Sequence, residues 1–172
     1  MGSLAEFVKK EAAHLKGEIE RQEASLKEWK AAIDDLYATL TRWIEEADGG
    51  LRLLRTDAFA YVTCREPGLG TYEVKRLTIS VGQLGSREAE IVPRARFVAS
   101  QVKVNGKLRR ADGIMEIREQ TTPMYYLFRV KDDGRDAWFI RSVVEWNADE
   151  DYGNAFSLDR DRFEAAVLSI LK

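Results

Sequence analysis

One cysteine and one histidine are all that 172 residues provide, and these two scarcities exclude much familiar chemistry. With Cys64 alone, no intramolecular disulfide can form, and no thiolate set for zinc or iron–sulfur can assemble. His14 falls on a helical stretch just outside its apolar stripe, the setting of a solvated residue, so Cys–His and Ser–His–Asp devices lose their base. Also lacking are an apolar run near 18 residues, a charged-then-apolar leader, and the Ser or Thr that a myristoylation pattern needs where Glu6 stands. The reading is of a cytoplasmic chain with no membrane anchor.

Charge of one sign is lacking as well. Lys plus Arg number 27 against 29 for Asp plus Glu, a net charge of −2, which gives no global reason to expect nucleic acid. The distribution is uneven: residues 1–50 carry net −4, residues 51–147 net +5, and residues 148–172 net −3. The apolar share of 45% suffices for a core.

The most regular feature is a stripe at alternating spacings of four and three: Val8, Ala12, Leu15, Ile19, Gln22, Leu26, Trp29, Ile33, Leu36, Leu40 and Trp43. That spacing keeps one line of side chains on one side of a helix, as a coiled-coil seam requires. Ser3 with Glu6 forms a capping box at its start, Gly49-Gly50 a stop at its end, and no proline interrupts it. The pattern predicts a helix over about 4–47, roughly 65 Å long at 1.5 Å per residue, longer than a small β-domain can cover. After Trp29 the stripe widens to take in Tyr37 and Ile44. A wide face suits a sheet and a narrow one a helix, so the C-terminal half is expected on the β-domain. The seam Val8, Ala12, Leu15, Ile19, Gln22 and Leu26 is expected against another helix, of a second copy or a different protein. Gln22, the polar member, could fix the register of such a pair.

Beyond Leu51 the helical period gives way to short alternating segments between turn residues, the signature of an antiparallel sheet or partly open barrel of about 6–8 strands. Asn105-Gly106 is the dipeptide of a tight hairpin, and Asp132-Asp133-Gly134 turns between a strand with Phe128 and Val130 and one with Trp138, Ile140, Val144 and Trp146. Strands are predicted near 52–64, 72–82, 88–92, 96–104, 107–111, 114–120, 124–131 and 137–146. Residues 147–154 read as a loop, and 157–172 as a short amphipathic helix capped by Ser157 or Asp159. The class is therefore α+β: residues 1–48 a long coiled-coil-like helix, residues 51–172 an antiparallel β-domain closed by a short helix.

No catalytic residue, metal ligand or cofactor site emerges. Asp57 with Glu73-Val74-Lys75 has the elements of a magnesium-holding acid and acid-x-lysine set, but at a loose spacing that an ordinary polar strand face also yields. Asp149-Glu150-Asp151 opens like a calcium loop, yet Arg160 stands where the bidentate Glu belongs. Cys64, with Ala58, Ala60 and Val62, reads as a small buried hydrophobe. Arg94, Arg96, Lys103, Lys107, Arg109 and Arg110 flank the Asn105-Gly106 turn, with no acid between Glu90 and Asp112, and form a candidate contact for phosphates or nucleic acid. The alternative is a hairpin kept soluble by charge. The leading expectation is a non-enzymatic interaction or oligomerisation module, a homo-oligomer through its N-terminal helix, with a binding surface on the β-domain. A nucleic-acid-associated protein and a small-molecule-binding barrel or sparse carboxylate enzyme at Asp57 and Glu73 are the alternatives.

Overall fold

The computed structural model describes residues 2–82, 87–96, 101–143 and 154–172. The 147–153 part of the expected loop with its calcium-like acids, and parts of the strands expected at 96–104 and 137–146 with Val144 and Trp146, lie outside these residues.

Helix α1 (Leu4–Asp48) follows the expected boundaries within a residue. The Ser3 hydroxyl accepts from the Glu6 N–H at 3.2 Å and the Glu6 carboxylate accepts from the Ser3 N–H at 3.0 Å, satisfying two donors that the first turn leaves open. Gly49 takes the left-handed conformation (φ 59°) and donates to the Glu45 carbonyl, which ends the helix. The exit is held by Asp48, whose carboxylate accepts the N–H groups of Arg52, Leu53 and Leu54 at 2.6–2.9 Å. These bonds, the one from Leu54 foremost, keep its pKa below the ordinary carboxylate value.

Among the described residues eleven strands follow: β1 (Leu54–Asp57), β2 (Tyr61–Glu66), β3 (Gly70–Lys75), β4 (Leu77–Val81), β5 (Glu88–Ala95), β6 (Gln101–Val104), β7 (Lys107–Arg110), β8 (Ile114–Glu119), β9 (Thr122–Asp132), β10 (Arg135–Ser142) and β11 (Asn154–Ser157). Helix α2 (Arg160–Leu171) ends the chain and is capped by Asp159, whose side chain accepts the Arg162 N–H. Nine strands form one open sheet in the order β1-β4-β5-β8-β9-β10-β11-β6-β7, and β2-β3 form a separate hairpin. The count exceeds the sequence expectation because 52–64 and 72–82 each break in two, at 58–60 and at Arg76, where the chain passes between the two sheets. The short β11, between the expected loop and the expected helix, pairs in parallel with β6, the one non-antiparallel ladder among the described strands. This makes the large sheet mixed.

Both predicted tight turns form. Asn105 and Gly106 have φ 50° and 75°, and Asp133 and Gly134 have φ 48° and 75°, the positive values that a two-residue hairpin demands of both central residues. Register shifts fall near prolines, in β5 between Pro93 and Ala95, and in β8 between Ile117 and Arg118, where Arg118 faces Pro123 of β9. Proline has no N–H to give the ladder, so an irregularity there costs little.

The sheet is buried on both faces. On one, Leu77, Ile79, Ile91, Met115, Ile117, Leu127 and Ile140 pack under the second half of α1 and under α2. On the other, Ile114, Phe128, Val130 and Phe139 pack with Val102 and Val104 of β6 and with Ala155 of β11. Phe128 is paired with Phe139 and Leu127 with Ile140, so Phe128 and Ile140 belong to opposite faces. Two-sided burial hides this division from the sequence: alternation tells which residues share a face but not which face is inside when both are.

Candidate functional site

From Trp29 onward α1 is part of the core: Trp29, Ile33, Leu36, Tyr37, Leu40 and Ile44 are buried. Toward the N-terminus the helix leaves the sheet. Val8, Leu15 and Ile19 are 53–56% exposed, Leu4 78% and Phe7 60%, and Ala12 and Gln22 are open to solvent. Leu26, the last expected seam residue, is half-buried against the core, so the free seam runs from Val8 to Gln22 with Leu26 at its boundary. Residues 4–25 extend for about 33 Å at the helical rise. A helix of this length without a packed face is marginal in water, and its exposed aliphatic line has no intramolecular reason.

The boundary is an ion-pair node that the sequence reading missed. Glu28 meets Arg129 at 2.5 Å, Arg96 at 3.2 Å and Lys131. Arg129 is almost wholly buried, bonds Asp136 at 2.8 Å, and has its guanidinium 5.9 Å from the centre of the Trp29 ring. Burial opposes charge on both partners. The bonds from Lys131, Arg129 and Arg96 outweigh it at Glu28 and bring its pKa down to about 2; those from Asp136 and Glu28 hold Arg129 above its ordinary value. Glu28 comes from α1, Arg96 from just after β5, and Arg129, Lys131 and Asp136 from the β9–β10 hairpin, and nothing in any one of these stretches signals the meeting. A second node, Glu116, is fully buried between Arg94 and Arg118, with Arg118 at 2.6 Å. A third, Glu66, is buried and accepts the backbone N–H of Arg96 at 2.9 Å and the Tyr72 hydroxyl at 3.3 Å.

These nodes engage much of the basic group singled out in the sequence. Arg94 pairs with Glu116, Arg96 is buried against Glu28 and Asp112, and Arg109 reaches Asp132 at 3.4 Å. The β6–β7 register divides the remainder: Lys107 and Arg109 lie opposite Val104 and Val102, whereas Lys103 lies opposite Leu108 and Arg110 opposite Gln101. Residues directly opposite share a face, so Lys107 and Arg109 are on one side of the hairpin and Lys103 and Arg110 on the other. The six residues do not form a single charged surface.

The residues considered for chemistry are dispersed. His14 is exposed and 3.3 Å from Glu18 one turn on. Cys64 is buried, its thiol 3.5 Å from the Pro93 carbonyl, and burial raises its pKa. Asp57 on β1 caps its own turn, accepting the Phe59 N–H at 2.8 Å, while Glu73 on β3 borders a cleft of about 150 Å³ with Lys30, Asp34, Tyr61 and Lys75. No group of three or more His, Cys, Asp or Glu suited to a metal ion occurs among the described residues. A wider groove of about 680 Å³ runs between α1, β10 and the β11–α2 connection, with Trp43, Trp138, Asp35 and Arg135 on its walls.

The architecture defines an α+β protein in which a long helix crosses a mixed sheet and continues beyond it. No protein-family model, curated protein or solved structure matches the chain. Among the described residues no helix is long and apolar enough to cross a membrane.

Proposed function

We propose that this chain is a non-enzymatic assembly module, in which the projecting half of α1 pairs with another helix and the β-rich body presents a binding surface. The observation that carries the reading is the exposed stripe of Val8, Leu15 and Ile19 on the part of α1 that lies outside the buried core. The widening of the stripe at Trp29 supports it, because the body takes the wide part and leaves the narrow, coiled-coil-like part free. The ion pairs at Glu28 fix where the projecting part begins, so that a partner meets a rigidly mounted helix. The groove beside Trp43 and Trp138 is one surface that assembled bodies would display.

The test is the absolute mass in solution, by light scattering after size exclusion, of the native chain and of a Leu15→Lys/Ile19→Lys variant. The reading expects a dimer or larger for the native chain and a monomer with unchanged circular dichroism for the variant. An oligomer that the two lysines leave intact would place the interface elsewhere and sink it.

A further inference from the structure

We infer that the occupant of the projecting stripe is a second copy of this chain running antiparallel, each helix tip ending beside the other copy's β-rich body. This rests on the assembly reading above and adds the partner's identity and direction.

The free seam and the buried face of α1 belong to one continuous stripe. A heptad line on a helix of 3.6 residues per turn drifts by only about 20° per heptad, so Leu15 and Ile19 remain within about 50° of the direction in which Ile33 faces the sheet. A helix laid on the seam is therefore on the same side of α1 as its own body, and must end where that body begins, at Leu26 to Trp29. In an in-register parallel pair, residues beyond 26 of each helix would run through the body of the other. Reversing one helix removes the conflict, since its tip points at the body and its own body lies beyond the first copy's tip.

Antiparallel helices bring like flanks together, Lys9, Lys16 and Glu23 along one side of the seam and Glu11 and Glu18 along the other. Two registers bring the seam residues together, the first within the free length and the second carrying the first turn, residues 4–7, alongside residues 27–30 where the other copy's body begins. In one, Leu15 packs on Ala12 of the second copy, Lys9 meets Lys16 and Glu11 meets Glu18, four repulsive contacts by symmetry. In the other, Leu15 packs on Ile19, Val8 on Leu26 and Ala12 on Gln22, a small residue against a long one. Lys9 then meets Glu23 twice, and like charges meet only at the two-fold axis, Lys16 on Lys16 and Glu18 on Glu18. The second register is the favoured one, and it uses every seam residue from Val8 to Leu26. Being two-fold, the pair closes on itself and leaves no seam open for further copies.

Dimer dissociation constants by sedimentation equilibrium on full-length variants test both partner and direction, since the flanking residues changed are solvent-exposed. In the antiparallel pair, Glu23→Lys sets Lys9 against a lysine and weakens the dimer about tenfold, Lys9→Glu/Glu23→Lys returns it to within a few-fold of native, and Lys16→Ala tightens it. A parallel pair gives the opposite signs: Glu23→Lys would relieve Glu18 against Glu23, and Lys16→Ala would remove the attraction to Glu11. Those signs, in a dimer still dissolved by Leu15→Lys/Ile19→Lys, would overturn the inference and leave the assembly reading intact. A native chain that is monomeric at all concentrations would overturn the inference together with self-assembly.

Discussion

The indole of Trp29 lies directly over Gly113, so close that a Cβ on that glycine would overlap ring carbons Cζ3 and Cη2. Trp29 is the first fully buried residue of α1, and Gly113 immediately precedes β8, so this contact is where the long helix first presses on the sheet. The ring has no space to retreat: Trp138 stacks beside it at 6.3 Å and the Arg129 guanidinium borders it. Gly113→Ala is therefore expected to destabilise the protein by about 2–3 kcal/mol, as overpacking a rigid core does. Urea denaturation measures this, and a change below about 0.5 kcal/mol would mean that the helix shifts freely on the sheet.

Tyr37 joins three elements. Its hydroxyl is 2.9 Å from the Lys75 carbonyl at the end of β3 and 3.0 Å from the Ile91 carbonyl in β5, tying α1 both to the small hairpin and to the main sheet. Burial is the chief reason its pKa is raised above the ordinary phenol value, so it remains a donor at any working pH. Tyr37→Phe keeps the ring and removes the donor. A loss of about 1–2 kcal/mol is expected, because the buried Ile91 carbonyl loses a partner, and an unchanged midpoint in chemical denaturation would show that the contact is dispensable.

Cys64 is expected to be silent while the protein is folded. Its thiol is buried and its pKa is pushed up by that burial, with the nearby Glu66 carboxylate acting in the same direction, so little thiolate forms and little reagent reaches it. Ellman's reagent should label the native protein slowly, at a rate set by opening of the structure, and label it at once in denaturant. Rapid stoichiometric labelling without denaturant would contradict the buried placement.

The sequence read well where one physical period dominates a long stretch. The heptad line from Val8 to Trp43, Ser3 with Glu6, and Gly49 were enough to place α1 and the point at which it enters the core. Asn105-Gly106 and Asp133-Gly134 were legible because few residues tolerate the backbone they occupy. The strand breaks were harder to see, since Asp57 alone marks the first with a turn-capping side chain, Arg76 marks the second with none, and both breaks exist because two sheets share the chain. Arg94, Arg96 and Arg109 looked free because their partners Glu116, Glu28, Asp112 and Asp132 lie 16 or more residues away along the chain. Local patterns do not report such long-range pairs.

Glu28 makes a pH-dependent contribution whose sign follows from its low pKa. An ordinary glutamate titrates near 4.5, whereas here the contacts with Lys131, Arg129 and Arg96 overcome the cost of burial and bring it to about 2. The folded state therefore binds this proton less readily than the unfolded chain. The stabilisation is complete above about pH 4.5 and is lost as the pH falls toward 2. Because the side chain is 38% exposed, solvent screens the pairs, and the contribution is about 1–2 kcal/mol and not the full value of the shift. Glu28→Gln removes the charge but keeps the shape. The native chain should exceed this variant in stability by that amount at pH 7, and the gap should narrow steadily between pH 4.5 and 2, other carboxylates cancelling in the difference. Urea denaturation of both proteins across this range decides it. A gap that stays constant down to pH 2 would mean that shape and packing, and not the charge on Glu28, fasten the root of the projecting helix to the sheet.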